Sequence, residues 1–386
     1  MRKIKCFSLI FIIATLIFCS LINSDTMIVR SVNVQEFNTS AKAMCVIEKD
    51  SGRVVASKNM EMQLPMASTT KIVTALTVIQ NSKNLDEIIC VDDSAIGVEG
   101  SSIYLRKDEM ISVRDLLYGL MLRSGNDSAV ALACHTGGSV EGFASLMNET
   151  AKIAGAKNSN FVTPHGLDHK DHYTTAHDLA KITAYALNNP IFKEIVSTKQ
   201  HTVQATNKSD KRYMSNKNRL LNTLDGCIGV KTGYTKRAGR CLVSATERGN
   251  ETFVCVVLNC GPMFEESASL LNNSHASYEN KKIIDKNKEI YNEYIIDEKH
   301  GKLYLYPEED FYYPVMKGEE EKFHIEYSVK LDHAKEGDVV GEIKVFFEND
   351  LLKTIKLVTI NKIDKLIDSK TLEIGEILWT DDLNNN

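Results

Sequence analysis

Only six prolines occur in the 386 residues, and no tract is biased toward one residue type, so long flexible linkers are not expected. Basic charge is not in excess. The formal net charge of −5 removes the general electrostatic reason to expect nucleic-acid binding. Beyond the N-terminal 22 residues no segment is long and apolar enough to span a bilayer. A C-x-x-C pair is also missing among the nine cysteines, at positions 6, 19, 45, 90, 134, 227, 241, 255 and 260. Seven remain once the first two are set aside, an odd number, and no disulfide framework is readable. Cys241 and Cys255 lie in apolar runs and read as small buried hydrophobes. No cysteine reads as a nucleophile. What is present is ordinary for a folded protein, with 43% hydrophobic and 25% charged residues and a length that allows two or three domains.

The N-terminus is distinctive. Arg2, Lys3 and Lys5 precede an apolar run from Cys6 to Ile22, and the polar Asn23-Ser24-Asp25 follows. A basic head, a short apolar stretch and a small residue at its exit make an export signal, residues 1–24, with cleavage expected after Ser24. The rest of the chain is then expected outside the cytoplasm, in the wall or on the outer face of the membrane. A retained anchor is the alternative, because the run approaches spanning length. Bulky Phe18 before Cys19 argues against a lipoprotein.

Ala43 to Ile47 and Arg53 to Ala56 read as a hairpin around Asp50-Ser51-Gly52. A largely apolar helix is predicted from near Ser68, carrying Ile72, Val73, Leu76, Val78 and Ile79. A second is predicted from Ser112, with Asp115 three residues on in capping-box style and Val113, Leu116, Leu117, Leu120 and Met121 on one face. It stops at Ser124-Gly125-Asn126, and another resumes through Val130 and Leu132. Ile228 to Thr235, Cys241 to Ala245 and Thr252 to Leu258 read as successive antiparallel strands, with Arg248-Gly249-Asn250 turning the last pair. The prediction is an α+β domain, a sheet with helices packed on it. A boundary is placed in the polar Asn272–Lys282 stretch. Beyond it Phe323, Ile325, Tyr327, Val329 and Leu331 alternate with polar residues, and Ile343–Phe347 and Ile355–Ile360 look similar. Residues 25–275 and a small β-rich 283–380 are the expected divisions.

Three short motifs carry chemistry. In Ser68-Thr69-Thr70-Lys71 the first and last residues share a helix face, so a lysine of lowered pKa could take the serine's proton. Ser68 at a helix start would also have backbone N–H groups nearby for an anionic intermediate. Ser124-Gly125-Asn126 sits at a break between helices, where Ser124 could relay a proton and Asn126 hold a substrate amide. Lys231-Thr232-Gly233 lies in a strand that could pair with an extended peptide, Gly233 allowing close approach and Lys231 meeting a terminal carboxylate. Each has a plain structural alternative: an N-cap serine, a helix C-cap, a surface strand lysine. Together, in this order and these contexts, they are the signature of penicillin-recognising serine enzymes.

The chain resembles the low-molecular-mass penicillin-binding proteins of the D-alanyl-D-alanine carboxypeptidase family. The likeness extends to Pro65-Met66-Ala67 before Ser68, Asp127-Ser128-Ala129 after Asn126, His165-Gly166-Leu167-Asp168, Tyr173-Thr174-Thr175-Ala176 and Tyr234-Thr235 followed by Ala238-Gly239. It implies a β-lactamase/transpeptidase-like domain and an activity removing the terminal D-alanine from stem peptides ending in D-Ala-D-Ala, through a Ser68 acyl-enzyme that penicillin also forms. By the same carry-over Lys71 is the base, and Ser124 and Asn126 serve proton transfer and substrate holding. Lys231, Thr232, Gly233 and Tyr234 bind substrate, and the Ser68 and Tyr234 N–H groups form the oxyanion hole. No cofactor or metal is implied. Many members end in a basic amphipathic helix that lies on the membrane. Here Leu372 to Asn386 carries Glu373, Glu376, Asp381 and Asp382 and no basic residue, a poor partner for anionic lipid.

His165, His169, His172 and His177 invite a metal site, but their spacing lacks a firm zinc pattern and they read as structural. A β-lactamase would need a deacylating glutamate, and no convincing E-x-x-x-N segment follows the S-G-N motif. A non-hydrolytic β-lactam-binding sensor is the non-enzymatic alternative.

Overall fold

The computed structural model describes residues 39–288, 290–296, 299–330, 338–359 and 371–378. The expected export signal, and the acidic end beyond Leu378, lie outside them. Strands β1 (Ala43–Glu48) and β2 (Val54–Lys58) form the expected hairpin, with Val46 opposite Ala56. The helix expected from Ser68 begins instead as a 3-10 turn, Ala67–Thr70, and becomes α1 only at Lys71–Asn81. Ser68 makes no capping bond there, so the N-cap alternative for this serine is set aside. A short ladder of β3 (Ile88–Cys90) and β4 (Met110–Ser112) precedes α2 (Val113–Tyr118). Ser112 caps α2 as its sequence predicts, its Oγ accepting the Asp115 N–H at 3.0 Å. The helix then widens into a π-helical turn, Gly119–Arg123, and ends at Ser124 with φ 63°.

After this break come α3 (Asn126–Gly137), α4 (Val140–Ile153), α5 (Ala176–Leu187) and α6 (Pro190–Ser197). Strands β5 (Gln200–Val203) and β6 (Arg212–Ser215) make a hairpin, and α7 (Leu220–Thr223) is a single turn. Then follow β7 (Cys227–Thr235), β8 (Gly239–Arg248), β9 (Glu251–Leu258) and α8 (Met263–Ser277). The sheet order is β2-β1-β9-β8-β7, which leaves β7 at an edge. Strand β9 shows why its run is almost wholly apolar. Val254, Val256 and Leu258 join the core under the α1–α6 helices, while Phe253, Cys255 and Val257 join a second core beneath α8. A strand covered on both faces needs no polar alternation.

The polar stretch Asn272–Lys282 is regular structure, because α8 runs to Ser277 and β10 (Tyr278–Ile284) starts at the next residue. β10 pairs with β13 (Phe311–Met316). The remaining strands are β11 (Ile290–Ile296), β12 (Lys299–Pro307), β14 (Phe323–Lys330), β15 (Val339–Phe347), β16 (Asp350–Thr359) and β17 (Thr371–Leu378). They form one sheet in the order β11-β12-β16-β15-β14-β17. Over the described residues the predicted alternation holds, since Phe323, Ile325 and Val329 enter a third core with Ile343, Val345 and Ile355; Leu331 and Ile360 lie outside those residues. The start of the acidic C-terminal segment is therefore a strand paired to β14, Glu373 opposite Ser328.

One arginine fastens β2 to this β-rich part. Arg53 is 8% exposed and donates from Nη2 to both Glu319 carboxylate oxygens at 2.9 and 2.8 Å. Its guanidinium also lies 5.1, 5.2 and 4.8 Å from the ring centres of Tyr278, Tyr313 and Phe347. Among the described residues no helix is long and apolar enough to cross a membrane.

Candidate active site

The 3-10 turn holds Ser68 at the mouth of a buried polar cluster. Ala67, just before it, has φ 50°, a conformation that a non-glycine residue adopts only where its surroundings impose it. Two glycines supply those surroundings. Gly166 has φ 83°, and a Cβ on it would lie 2.0 Å from the Ala67 carbonyl oxygen. Gly233 in β7 leaves room for the same turn, since a Cβ there would lie 3.0 Å from the Ser68 nitrogen and 3.1 Å from the Met66 oxygen. The expected reason for Gly233 was approach by a peptide. Here the Ser68 turn, against which β7 packs, already crowds that position.

Lys71, one turn on, is fully buried. Its Nζ lies 3.0 Å from Ser68 Oγ and donates to Asn126 Oδ1 and to the His165 carbonyl, each at 2.7 Å. Burial pushes its pKa well below the usual lysine value, and the charges of Lys231 and Lys217 push the same way. A neutral amine has two N–H donors and one lone pair. With the donors engaged by Asn126 and His165, the lone pair is left for the Ser68 hydroxyl.

Asn126 is held as firmly. Its Nδ2 donates to the Glu99 carbonyl at 2.5 Å, and its backbone N–H donates to the Ser101 carbonyl at 2.7 Å. Asp127 anchors the loop that carries those carbonyls. Its carboxylate accepts from Ser102 Oγ at 2.5 Å, Leu105 N at 3.1 Å, Ser128 N at 2.8 Å and Ile103 N at 3.0 Å. Ser124, 4% exposed, occupies the left-handed residue between the π-turn and α3, the bend that separates it from Asn126.

Lys231 in β7 is buried, not a surface lysine. Its Nζ donates to the Thr232 carbonyl at 2.9 Å. Desolvation and then the charge of Lys217 lower its pKa to about 7. Tyr234 follows at 66% exposure, on the free edge of the sheet.

The loop before α5 supports the Ser68 turn from below. Thr74 Oγ1 donates to the Pro164 carbonyl at 2.7 Å, fixing the His165–Gly166 loop to α1. His172 lies 2.8 Å from Thr70 Oγ1, and its Nδ1 accepts the Val162 N–H at 3.1 Å. Thr70 Oγ1 spends its own hydrogen on the Ala67 carbonyl, so His172 Nε2 is the donor and the ring is neutral. Burial lowers its pKa to about 3, and that of His165 to about 4. His177 pairs with Glu61 at 2.5 Å and His169 with Asp171 at 3.9 Å. The four histidines thus serve separate contacts.

Ser68, Lys71 and Asn126 therefore touch, and Lys231 acts on Lys71 through its charge. Thr232, Gly233 and Tyr234 lie along the adjoining edge strand. Four contributors escaped the sequence reading: Lys217, the His165 and Glu99 carbonyls, and Asp127. Lys217, whose Nζ donates to Ser101 Oγ at 2.9 Å, lies in a polar run with no periodicity to flag it. Backbone carbonyls carry no sequence signal at all. Asp127 was legible only as the residue after S-G-N.

Residues 30–261 match the family described as D-alanyl-D-alanine carboxypeptidase, and residues 278–365 match the C-terminal domain of penicillin-binding protein 5. The D-alanyl-D-alanine carboxypeptidase DacF of Bacillus subtilis is 32% identical over 262 residues, 66% of this chain and 67% of its own length. The DacA enzyme of Haemophilus influenzae is 30% identical over 322 residues, 79% of this chain and 80% of its own. Among solved structures, penicillin-binding protein 5 from Haemophilus influenzae has a TM-score of 0.70 at 28% identity, covering 84% of this chain and 98% of that one. The DacD carboxypeptidase of Francisella tularensis gives 0.67 at 27% identity, covering 89% and 99%. The family match takes in more than half of the chain, including every residue of the cluster around Ser68, and this chain belongs to the D-alanyl-D-alanine carboxypeptidase family.

Proposed function

We propose that this chain is a serine-type carboxypeptidase that removes the terminal D-alanine from peptidoglycan stem peptides ending in D-Ala-D-Ala, with Ser68 as nucleophile and Lys71 as base. One observation carries the assignment of roles: a fully buried lysine amine lies 3.0 Å from a serine hydroxyl and 2.7 Å from each of two oxygen acceptors, Asn126 Oδ1 and the His165 carbonyl. Ser68 transfers its proton to Lys71 as Oγ attacks the carbonyl between the two D-alanines. The N–H groups of Ser68 and Tyr234 receive the developing oxyanion. The C–N bond breaks, the proton passes through Lys71 or Ser124 to the leaving amine, and D-alanine departs. Water then hydrolyses the ester. Lys71, or Ser124, activates that water; among the described residues the hydrogen-bond partners of the Ser68, Lys71 and Asn126 side chains include no carboxylate.

Lys231 and Lys217 provide the positive field for the substrate's terminal carboxylate, and the free edge of β7 pairs with its backbone, Asn126 holding the side amide. A β-lactam enters the same site and leaves its acyl group on Ser68. The reaction belongs outside the cytoplasm, where the wall is; export through residues 1–24 is part of this proposal. So is the division into a catalytic part, 25–275, and a β-rich part, 283–380.

The test is D-alanine release from a peptide ending in D-Ala-D-Ala, wild type against Ser68→Ala, with labelled penicillin alongside. Loss of both signals in the variant supports the reading. Labelling of Ser68 without release by the wild type would point to a sensor, and neither signal would refute the assignment.

A further inference from the structure

A terminal D-alanine brings one carboxylate, and three cations beyond Lys71 stand at the site that receives it. Lys231 is buried in β7. Lys217 is solvent-accessible. Its Nζ meets a single acceptor among the described residues, Ser101 Oγ at 2.9 Å, which leaves two of an ammonium's three N–H donors open. Arg123 is the third cation. It closes the π-helical turn and is exposed, between buried Leu122 and buried Ser124.

The backbone fixes where Arg123 stands. The Lys217 N–H donates to the Leu122 carbonyl at 3.2 Å, tying the residue before Arg123 to the segment that carries Lys217. Ser101, whose hydroxyl holds the Lys217 amine, accepts the Asn126 N–H at its carbonyl, at 2.7 Å. Residues 101, 122–126 and 217 therefore form one stitched wall beside Asn126. The Arg123 guanidinium has no hydrogen bond, ion pair or ring contact among the described residues, and Glu99, the one acid of the 97–103 loop, pairs with neither cation. Desolvation, and then the charge of Arg123, lowers the pKa of Lys217, which in turn lowers those of Lys231 and Lys71. Running outward from Ser68, the order is Lys71 and Lys231, then Lys217, then Arg123. An arginine does not shed its proton to relieve such crowding, and its planar fork matches a carboxylate.

We infer that Arg123 binds a second carboxylate, on the side chain of the substrate's terminal residue, so that the site also releases D-glutamate from peptides ending in D-Ala-D-Glu. The inference rests on the carboxypeptidase reading, which sets the terminal carboxylate at Lys231 and Lys217; the side chain of the same residue then branches toward the next cation outward. The bond changes are those of the D-alanine reaction. The peptide C–N bond breaks, the proton taken from Ser68 passes to the leaving amine, and water opens the ester to leave a free acid on the remaining D-alanine.

The test compares two peptides that differ only in ending in D-Ala-D-Glu or in the neutral isostere D-Ala-D-Gln, by kcat/KM for release of the terminal residue by the full chain. The wild type should favour the first about fivefold, the size of one accessible ion pair, and Arg123→Gln should bring the ratio to about one, with Arg123→Lys between. Each ratio is taken on a single preparation, so a loss of folded enzyme cancels. A wild-type ratio of one or below, or a ratio unchanged in Arg123→Gln, would overturn the inference. Calorimetry of the same peptides on Ser68→Ala, which cannot be acylated, reads the preference as an affinity ratio without turnover. Equal affinity, or binding of neither peptide, would also overturn it. Failure of the wild type to release D-alanine from D-Ala-D-Ala would count against the carboxypeptidase reading, while the affinity ratio still decides the role of Arg123.

Discussion

Replacing Gly166 by alanine should disable acylation in a protein that still folds. The new Cβ would lie 2.0 Å from the Ala67 oxygen, 2.5 Å from its carbon and 2.7 Å from Thr70 Oγ1. Non-bonded carbon contacts relax only near about 3.5 Å, so the loop and the nucleophile turn must part by more than about 1 Å. Ala67 leads directly into Ser68, and the His165 carbonyl on the other side holds Lys71 Nζ at 2.7 Å. Displacing either wall moves nucleophile and base apart. Misplacement of about 1 Å can cost about 10²-fold in rate, which corresponds to roughly 2.7 kcal/mol of barrier. Overpacking adds about 1–3 kcal/mol to the loss of stability, and the left-handed backbone about 1 kcal/mol more. Gly249→Ala is the control, because its φ is 58° but nothing lies within 4 Å of its Cβ. It should lose some stability from backbone strain and acylate normally. The assay is the second-order rate constant for acylation by a fluorescent penicillin, with thermal unfolding in parallel. A Gly166→Ala enzyme acylating within about threefold of wild type would refute the claim that this contact sets the Ser68–Lys71 geometry.

Three further outcomes are expected. Asp127→Asn replaces an acceptor of four hydrogen bonds from the 102–105 loop and Ser128. It should cost about 3 kcal/mol in denaturant unfolding and slow acylation about tenfold, since the same loop positions Asn126. His172 is neutral when folded, with a pKa of about 3 against 6.5 for an ordinary histidine. The unfolded chain therefore binds the extra proton in that window. This contribution is complete above pH 6.5 and is lost as pH falls toward 3, and acid unfolding of His172→Gln should lack that component. Arg53→Ala removes the bidentate partner of Glu319 and three ring contacts. Urea unfolding should lose about 3 kcal/mol, while D-alanine release from a soluble peptide stays at the wild-type rate.

The catalytic sheet was readable because its strands β7, β8 and β9 follow one another with short turns, and neighbours in sequence became neighbours in space. The helix cap at Ser112 was readable because the capping bond spans three residues. The start of α1 was misplaced by one turn. Nothing local in Ala67-Ser68-Thr69-Thr70 favours a 3-10 turn over an α-helix; Gly166 and Gly233, distant in sequence, leave the space that the turn occupies. The polar stretch before Lys282 was placed as a boundary on composition; it is built as the end of a helix and the start of a strand, and polarity alone does not separate a loop from regular structure.

The sequence by itself determined the family and pointed to Ser68 and Lys71, because the two need only one turn of helix to meet and the three motifs stand in a fixed order. Tertiary structure alone decided the state of that lysine. Its lowered pKa depends on burial and on the charges of Lys231, carried in by β7, and of Lys217, and its direction depends on a carbonyl oxygen that no side-chain pattern encodes. Residue type and spacing report what chemistry is available. Desolvation and distance, which set whether a proton leaves at neutral pH, exist only once the chain has closed around them.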